Sequence, residues 1–194
     1  MSPVALRRGA RVLAGLTGLL LVLTVLPSAL RLTVGGIRFS DYPPREAVYL
    51  GPGDVVPQQS DADCGLAALL TLLRRNAIPA TYGELTARLP VEERVVRGIT
   101  FRALAGLAGA FGLPLDGYRL VGLSEAPATV PWIAHLQGAA LGHYVVVDRI
   151  TARAVIVSDP AWGQFELPRA AFERLWSGYA LVRRQELRRW PSSD

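Results

Sequence analysis

Among its 194 residues the chain has one cysteine and two histidines, so any thiol chemistry it performs has few possible participants. Cys64 lies in Gln58-Gln59-Ser60-Asp61-Ala62-Asp63-Cys64-Gly65, directly ahead of a run of helix formers. A single thiol has no intramolecular disulfide partner. At a helix N-terminus, backbone N–H groups and the helix dipole favour the thiolate, the nucleophilic form. On position alone a small buried hydrophobe is an equal reading. Nucleophilic use of the thiol would need a base, a group that orients the base, and donors for an oxyanion. His143 meets the first need, because it opens the β-rich run Tyr144-Val145-Val146-Val147 after a glycine, where a strand end would place it at a sheet edge. His135, inside Trp132-Ile133-Ala134-His135-Leu136, shares the apolar setting of core residues and reads as structural. Asp159 follows His143 by sixteen residues in Ser158-Asp159-Pro160. Two antiparallel strands joined by a turn over Arg149 to Arg153 would return it to His143, where a carboxylate fixes the imidazole tautomer. Without that hairpin it is an ordinary turn aspartate before proline. Gln58, six residues before Cys64, could curl back over the helix start and join the Cys64 N–H as an oxyanion donor. Gln59 is its local rival, or simply a solvent-facing polar residue.

These side chains need a scaffold, and the pattern of the chain supplies one. Leucine and alanine at helical spacing predict a helix over 65–75, stopped by Asn76 and Pro79. Thr81-Tyr82-Gly83-Glu84 fits a capping box ahead of a short helix to Leu89. Thr100 can cap a third helix from Phe101 to Phe111, ended by Gly112 and Pro114. After that the period changes. Strands are expected at Tyr118–Val121, Trp132–Leu136, Tyr144–Ile150, Ala154–Ser158, Gln164–Leu167 and Tyr179–Val182, with a short helix from Arg169 to Trp176. Helices followed by a strand meander describe an α+β domain over 55–184, with the Cys64 helix packed on the sheet.

Ahead of it, residues 31–54 carry Gly35-Gly36, Pro43-Pro44, Gly51, Pro52 and Gly53, and read as a linker or lead-in with at most one short strand. Val12 to Leu30 is 19 residues without a charge. As a helix it would be about 28 Å long, close to the roughly 30 Å of a bilayer core. Arg7, Arg8 and Arg11 precede it and argue for a cytoplasmic N-terminus. A signal peptide cut after Ala29 is the alternative, although Pro27 would then stand where a small residue is wanted. Residues 1–30 are therefore expected to anchor the chain in a membrane or to export it, and either places the domain outside the cytoplasm. Residues 185–194 form a polar tail. A hydrophobic content of 51% with 19% charged residues excludes a disordered chain. The net charge of +5 is scattered over arginines without a basic stripe interleaved with aromatics, so nucleic acid is not an expected partner. No cofactor is implied, and no metal, since the two histidines and one cysteine lack metal-site spacing.

The ordered set of motifs resembles the bacteriocin-processing, double-glycine leader peptidases (cysteine peptidase family 39), which are papain-like thiol proteases. The resemblance rests on Gln58, Asp63-Cys64-Gly65, Gly142-His143-Tyr144-Val145-Val146, Asp159-Pro160-Ala161-Trp162-Gly163, and Phe172 through Trp176-Ser177-Gly178, in that order over about 130 residues. It implies a papain-like fold, Cys64 as nucleophile, His143 as general base and acid, Asp159 as the orienting residue and Gln58 as oxyanion donor. It implies cleavage after a Gly-Gly pair at the end of a leader peptide, through a cleft too narrow for side chains.

Many members of that family are the cytoplasmic N-terminal domain of an ABC exporter. Here no P-loop occurs in the 194 residues, so a separate exporter is the expected partner for any coupling to transport. The predicted side of the membrane differs too, which leaves the substrate open as a peptide or protein cut after small residues. Self-cleavage at Gly35-Gly36 is conceivable, but glycine pairs are ordinary in linkers. Two other readings fit the same residues: a peptidase-like module that binds a peptide without cutting it, and a thiol acyltransferase.

Overall fold

The computed structural model describes residues 42–89, 98–126, 130–137 and 142–184. Among these, seven strands form one antiparallel sheet: β1 (Val48–Gly51), β2 (Leu115–Arg119), β3 (Trp132–Leu136), β4 (His143–Ile150), β5 (Ala154–Asp159), β6 (Gly163–Pro168) and β7 (Trp176–Arg183). Their spatial order is β1-β6-β5-β4-β3-β7-β2. Helices α1 (Cys64–Arg75), α2 (Tyr82–Arg88) and α3 (Phe101–Ala110) precede most of the sheet in the chain, and α4 (Arg169–Leu175) links β6 to β7.

Burial sorts the layers. Every residue of α1 from Cys64 to Leu73 is buried, so this helix has no solvent face over its first ten positions. It lies against β4, with α2 and α3 packed on it, and its leucines share a core with Ile133, Tyr144, Val146 and Leu181. The alternate residues of the same strands, among them Trp132, Ala134, Val145, Val147, Ala180 and Val182, point the other way. There they meet Phe172 of α4 and Trp176. β4 is thus apolar on both faces, which explains its unbroken Tyr-Val-Val-Val run.

The local signals form the expected elements. Thr81 Oγ1 accepts from the Glu84 N–H at 3.3 Å while Glu84 Oε2 accepts from the Thr81 N–H at 2.8 Å, a complete capping box. Thr100 Oγ1 accepts from the Ala103 N–H at 3.2 Å and starts α3. Arg75 in the last turn of α1 pairs with Asp148 of β4 and donates to Ser158 Oγ of β5 at 2.7 Å. This ties the C-terminal end of the helix to the sheet it covers.

Three features depart from the sequence reading. The strand expected at Tyr118–Val121 instead runs over Leu115–Arg119, directly after Pro114, because pairing with β7 sets its register from Leu115↔Arg183 to Arg119↔Tyr179. The meander holds only from β3 to β6; α4 then crosses one face of the sheet and returns the chain beside β3, so β7 sits between β3 and β2. Finally, part of the lead-in belongs to the sheet, since β1 pairs with β6. Among the described residues no helix is long and apolar enough to cross a membrane. The apolar segment 12–30 and the tail 185–194 lie outside the described residues.

Candidate active site

The polar site forms where the start of α1 meets the ends of β4 and β5. Cys64 is the first residue of α1, and its thiol is buried at 6% exposure. The next residue has no room for a side chain. A Cβ on Gly65 would come within 2.2 Å of Ile99 Cγ2 and 3.1 Å of a Tyr144 ring carbon, so glycine lets the helix start approach the sheet closely. No side chain caps α1. The Asp63 carboxylate instead accepts from the backbone N–H groups of Gln59 (3.1 Å) and Ser60 (3.0 Å), folding the 59–63 loop onto itself.

His143 begins β4, and Asp159 ends β5, at 5% and 0% exposure. The β4–β5 hairpin pairs Val147 with Val157 and Val146 with Ser158, and this register returns Asp159 to His143. His143 Nε2 donates to Asp159 Oδ1 at 3.0 Å. The carboxylate is further held by the Tyr42 hydroxyl, which donates to Oδ2 at 2.5 Å, and by the Ala161 N–H, which donates to Oδ1 at 2.7 Å. That last bond closes the turn expected of an Asp-Pro sequence, so Asp159 serves turn and histidine together. Cys64 lies close enough to His143 to interact with its ring. With Nε2 engaged by Asp159, Nδ1 is the ring nitrogen left for the thiol.

Burial opposes a charge on the His143 ring. The hydrogen bonds and negative charge of Asp159 and Cys64 outweigh it and push the pKa up to about 9. The imidazolium is therefore the favoured form at neutral pH. Burial, reinforced by the Asp159 charge and its hydrogen bond, raises the Tyr42 phenol well above its usual range, so the phenol remains a donor.

The second histidine has the opposite environment. The Ser177 hydroxyl donates to the carbonyl of His135 at 2.8 Å, so His135 Nδ1, 2.9 Å from the same oxygen, must donate in return. Burial, and then the nearby charge of His143, lower its pKa. Its Nε2 abuts Gly142, where a Cβ would come within 1.9 Å; φ there is +73°, so glycine is required twice over. His135 belongs to a wall of rings with Tyr144 and Phe101, at centroid distances of 5.2 and 6.0 Å.

Gln58 joins the site through its backbone, whose N–H donates to the Pro160 carbonyl at 3.0 Å. Its side chain donates from Nε2 to the Ser60 carbonyl at 3.0 Å, while Oε1 is buried with no partner among the described residues. Gln59 is exposed. Beside the first turn of α1 runs an open cleft of about 370 Å³ with Ser60, Asp63, Leu66, Tyr82 and Ile99 in its walls. Its volume is within the range of ligand pockets. Among the described residues no cluster of His, Cys, Asp and Glu is placed to hold a metal ion.

The structure thus brings together Cys64, His143 and Asp159, with the Gln58 loop alongside, and keeps His135 apart. Tyr42 is the residue the sequence did not offer. It lies in a Gly/Pro-rich lead-in, 117 positions from its partner, and no local pattern marks it.

Comparison with known proteins matches most of the chain to one family. The profile of the Peptidase C39 family matches residues 53–187. A double glycine motif protease from an AMS/PCAT transporter, solved in complex with its leader peptide, superposes with a TM-score of 0.57 at 26% identity, covering 66% of this chain and 88% of that one. An uncharacterized protein of Methanothermobacter marburgensis is 30% identical over 138 residues, 71% of this chain and 93% of that protein. A probable functional amyloid protease, FapD, of Pseudomonas aeruginosa is 28% identical over 131 residues, 64% of this chain and 58% of that protein.

Proposed function

The chain belongs to the Peptidase C39 family, and from that premise we propose that it is a cysteine peptidase that cuts a peptide bond after small residues, of the Gly-Gly leader type. The observation that supports it best is the buried His143 ring joined to both Asp159 and Cys64. In this reading the imidazolium stabilises the Cys64 thiolate, which attacks the scissile carbonyl carbon. The oxyanion is received by the Cys64 N–H and by the second amide proton of Gln58, whose first is held by Ser60. His143 gives its Nδ1 proton to the leaving amine, and the acyl group remains on sulfur as a thioester. A water then gives a proton back to His143 and attacks the thioester, releasing the acid and restoring the ion pair.

The substrate is a peptide or protein lying along the cleft beside α1. The double glycine motif protease in complex with a leader peptide supports a Gly-Gly leader; the likeness to a probable functional amyloid protease makes an amyloid-forming polypeptide the alternative. We place the domain outside the cytoplasm, tethered through residues 12–30.

Cys64→Ala and His143→Ala are expected each to abolish cleavage, by at least about 10³-fold, while circular dichroism and the melting transition stay close to wild type. Full activity in either variant overturns the mechanism. A peptide that binds tightly and survives intact, beside an unreactive thiol, moves the function to a binding module; an amine captured in the product moves it to acyl transfer.

A further inference from the structure

The lead-in reaches further into the site than a tether requires. Tyr42 stands ahead of residue 53, where the family match begins, yet its hydroxyl ends 2.5 Å from Asp159 Oδ2, a fully buried carboxylate. Its ring meets the His143 ring edge-on at a centroid distance of 5.8 Å. The segment that carries it closes a turn of its own, where the Ala47 N–H donates to the Pro44 carbonyl at 2.8 Å, and is fixed to the body by β1 on the edge of the sheet.

Asp159 needs this hold. A carboxylate has two oxygens on one rotatable bond, and only one of them can face His143. Here Oδ1 takes the His143 and Ala161 bonds, while Oδ2 points the other way and takes Tyr42. With both oxygens engaged, the carboxylate plane is fixed and so is the imidazole it orients. We propose that Tyr42 is a positioning residue for the proposed Cys64–His143–Asp159 chemistry, supplied by the N-terminal lead-in, so that the site is complete only with the Tyr42 hydroxyl on Asp159. Tyr42 acts through Asp159 and does not touch substrate. The proposal rests on the peptidase reading of the site.

The groups facing His143 are Asp159 from β5, Cys64 from α1, Tyr42 from the lead-in and, from β3, the second histidine, His135. The full chain has no other histidine, so both rings can be followed by nitrogen NMR without ambiguity. In Tyr42→Phe the ring packing stays and only the hydroxyl is lost. A carboxylate held through Oδ1 alone orients the imidazolium less well. We expect the His143 titration midpoint to fall by about one pH unit, a tenfold loss of proton affinity. Alkylation of Cys64 by iodoacetamide at pH 7 should slow about tenfold. Where a cleaved peptide is known, kcat should fall with KM little changed.

Tyr49→Ser is the control. It removes a ring packed 5.5 Å from Phe165 and weakens β1 without touching Asp159. It should lower the melting temperature yet leave the His143 midpoint in place. If Tyr42→Phe behaves the same way, Tyr42 only packs and the proposal is overturned. An upward move of the midpoint also overturns it, because it would mean that the hydroxyl merely withdraws charge from Asp159. A wild-type His143 that titrates near 6.5 beside an ordinary thiol overturns the peptidase reading itself, and is recognised before any variant is made.

Discussion

Two buried carboxylates, eleven positions apart on adjacent strands, show how similar clusters come to different uses. Asp148 of β4 accepts from Arg75, from Ser158 Oγ at 2.6 Å and from Gln164 Nε2 at 3.0 Å. Asp159 of β5 accepts from His143, Tyr42 and Ala161. Both are satisfied by three donors, as buried carboxylates must be. The difference is the cation. Arg75 never gives up its proton, so the Asp148 cluster can only hold α1, β4, β5 and β6 together. His143 can give up and regain a proton, and its far nitrogen is the one left for a thiol. What separates a clamp from a reactive centre here is one partner with a removable proton, at the helix end that favours an anion.

The sharpest way to break that contrast is to remove the carboxylate of the reactive cluster. Asp159→Asn is expected to lower activity about a hundredfold, less than a serine triad would lose because a thiol ionises more readily. It should also move the alkaline limb of the activity profile below 9. The sign follows from the raised pKa of His143. Its charge stabilises the fold fully below about 6.5 and ceases to do so as pH rises through about 9. Wild-type activity and melting temperature should therefore both fall through that upper window, and in Asp159→Asn the fall should begin earlier. A profile identical to wild type would mean that the two carboxylates are equivalent clamps.

The complementary change, Arg75→Met, strands the buried Asp148 carboxylate. Its expected cost is about 2–4 kcal/mol of stability, measured by urea denaturation, with turnover per folded molecule within about threefold of wild type. A turnover loss as large as that of Asp159→Asn would join the two clusters into one functional unit. The smallest effect is expected at the second histidine. His135→Gln should leave cleavage within about threefold, because its ring engages Ser177 and packs against Gly142. A collapse of activity with the fold intact would instead place His135 in the substrate path.

Much of this architecture was legible in the residues because its signals are local. The leucine spacing after Cys64, the Thr81–Glu84 box and the Thr100 cap each fix a helix within a few positions. The β4–β5 hairpin was readable from its turn and the β-rich runs on either side, and with it the return of Asp159 to His143. What was not legible depends on distant pairing. The register of β2 is set by β7, at least sixty positions away, and the place of β7 inside the sheet by the crossover of α4. Tyr42 looked like part of a tether, since nothing in Tyr-Pro-Pro announces a hydrogen bond to the far end of the chain. Gln58 stands out in the sequence by its distance from Cys64, but its amide orientation depends on the Ser60 carbonyl, a detail of loop geometry.

The last two residues of β5 point to opposite faces of the sheet: Ser158 to Arg75 and Asp148, Asp159 to His143 and Tyr42. A slip of β5 by one residue would exchange those faces. Slipped one way, Asp159 would take the place of Ser158 and meet Asp148 beside a single arginine; slipped the other way, Ser158 would take the place of Asp159 and meet a histidine in need of a carboxylate. Each substitution is electrostatically poor, so a slip in either direction is opposed. The pair therefore works as a key for the hairpin. Among apolar strands that could slide past one another at little cost, it admits one alignment during folding, and that alignment is the one that assembles the site.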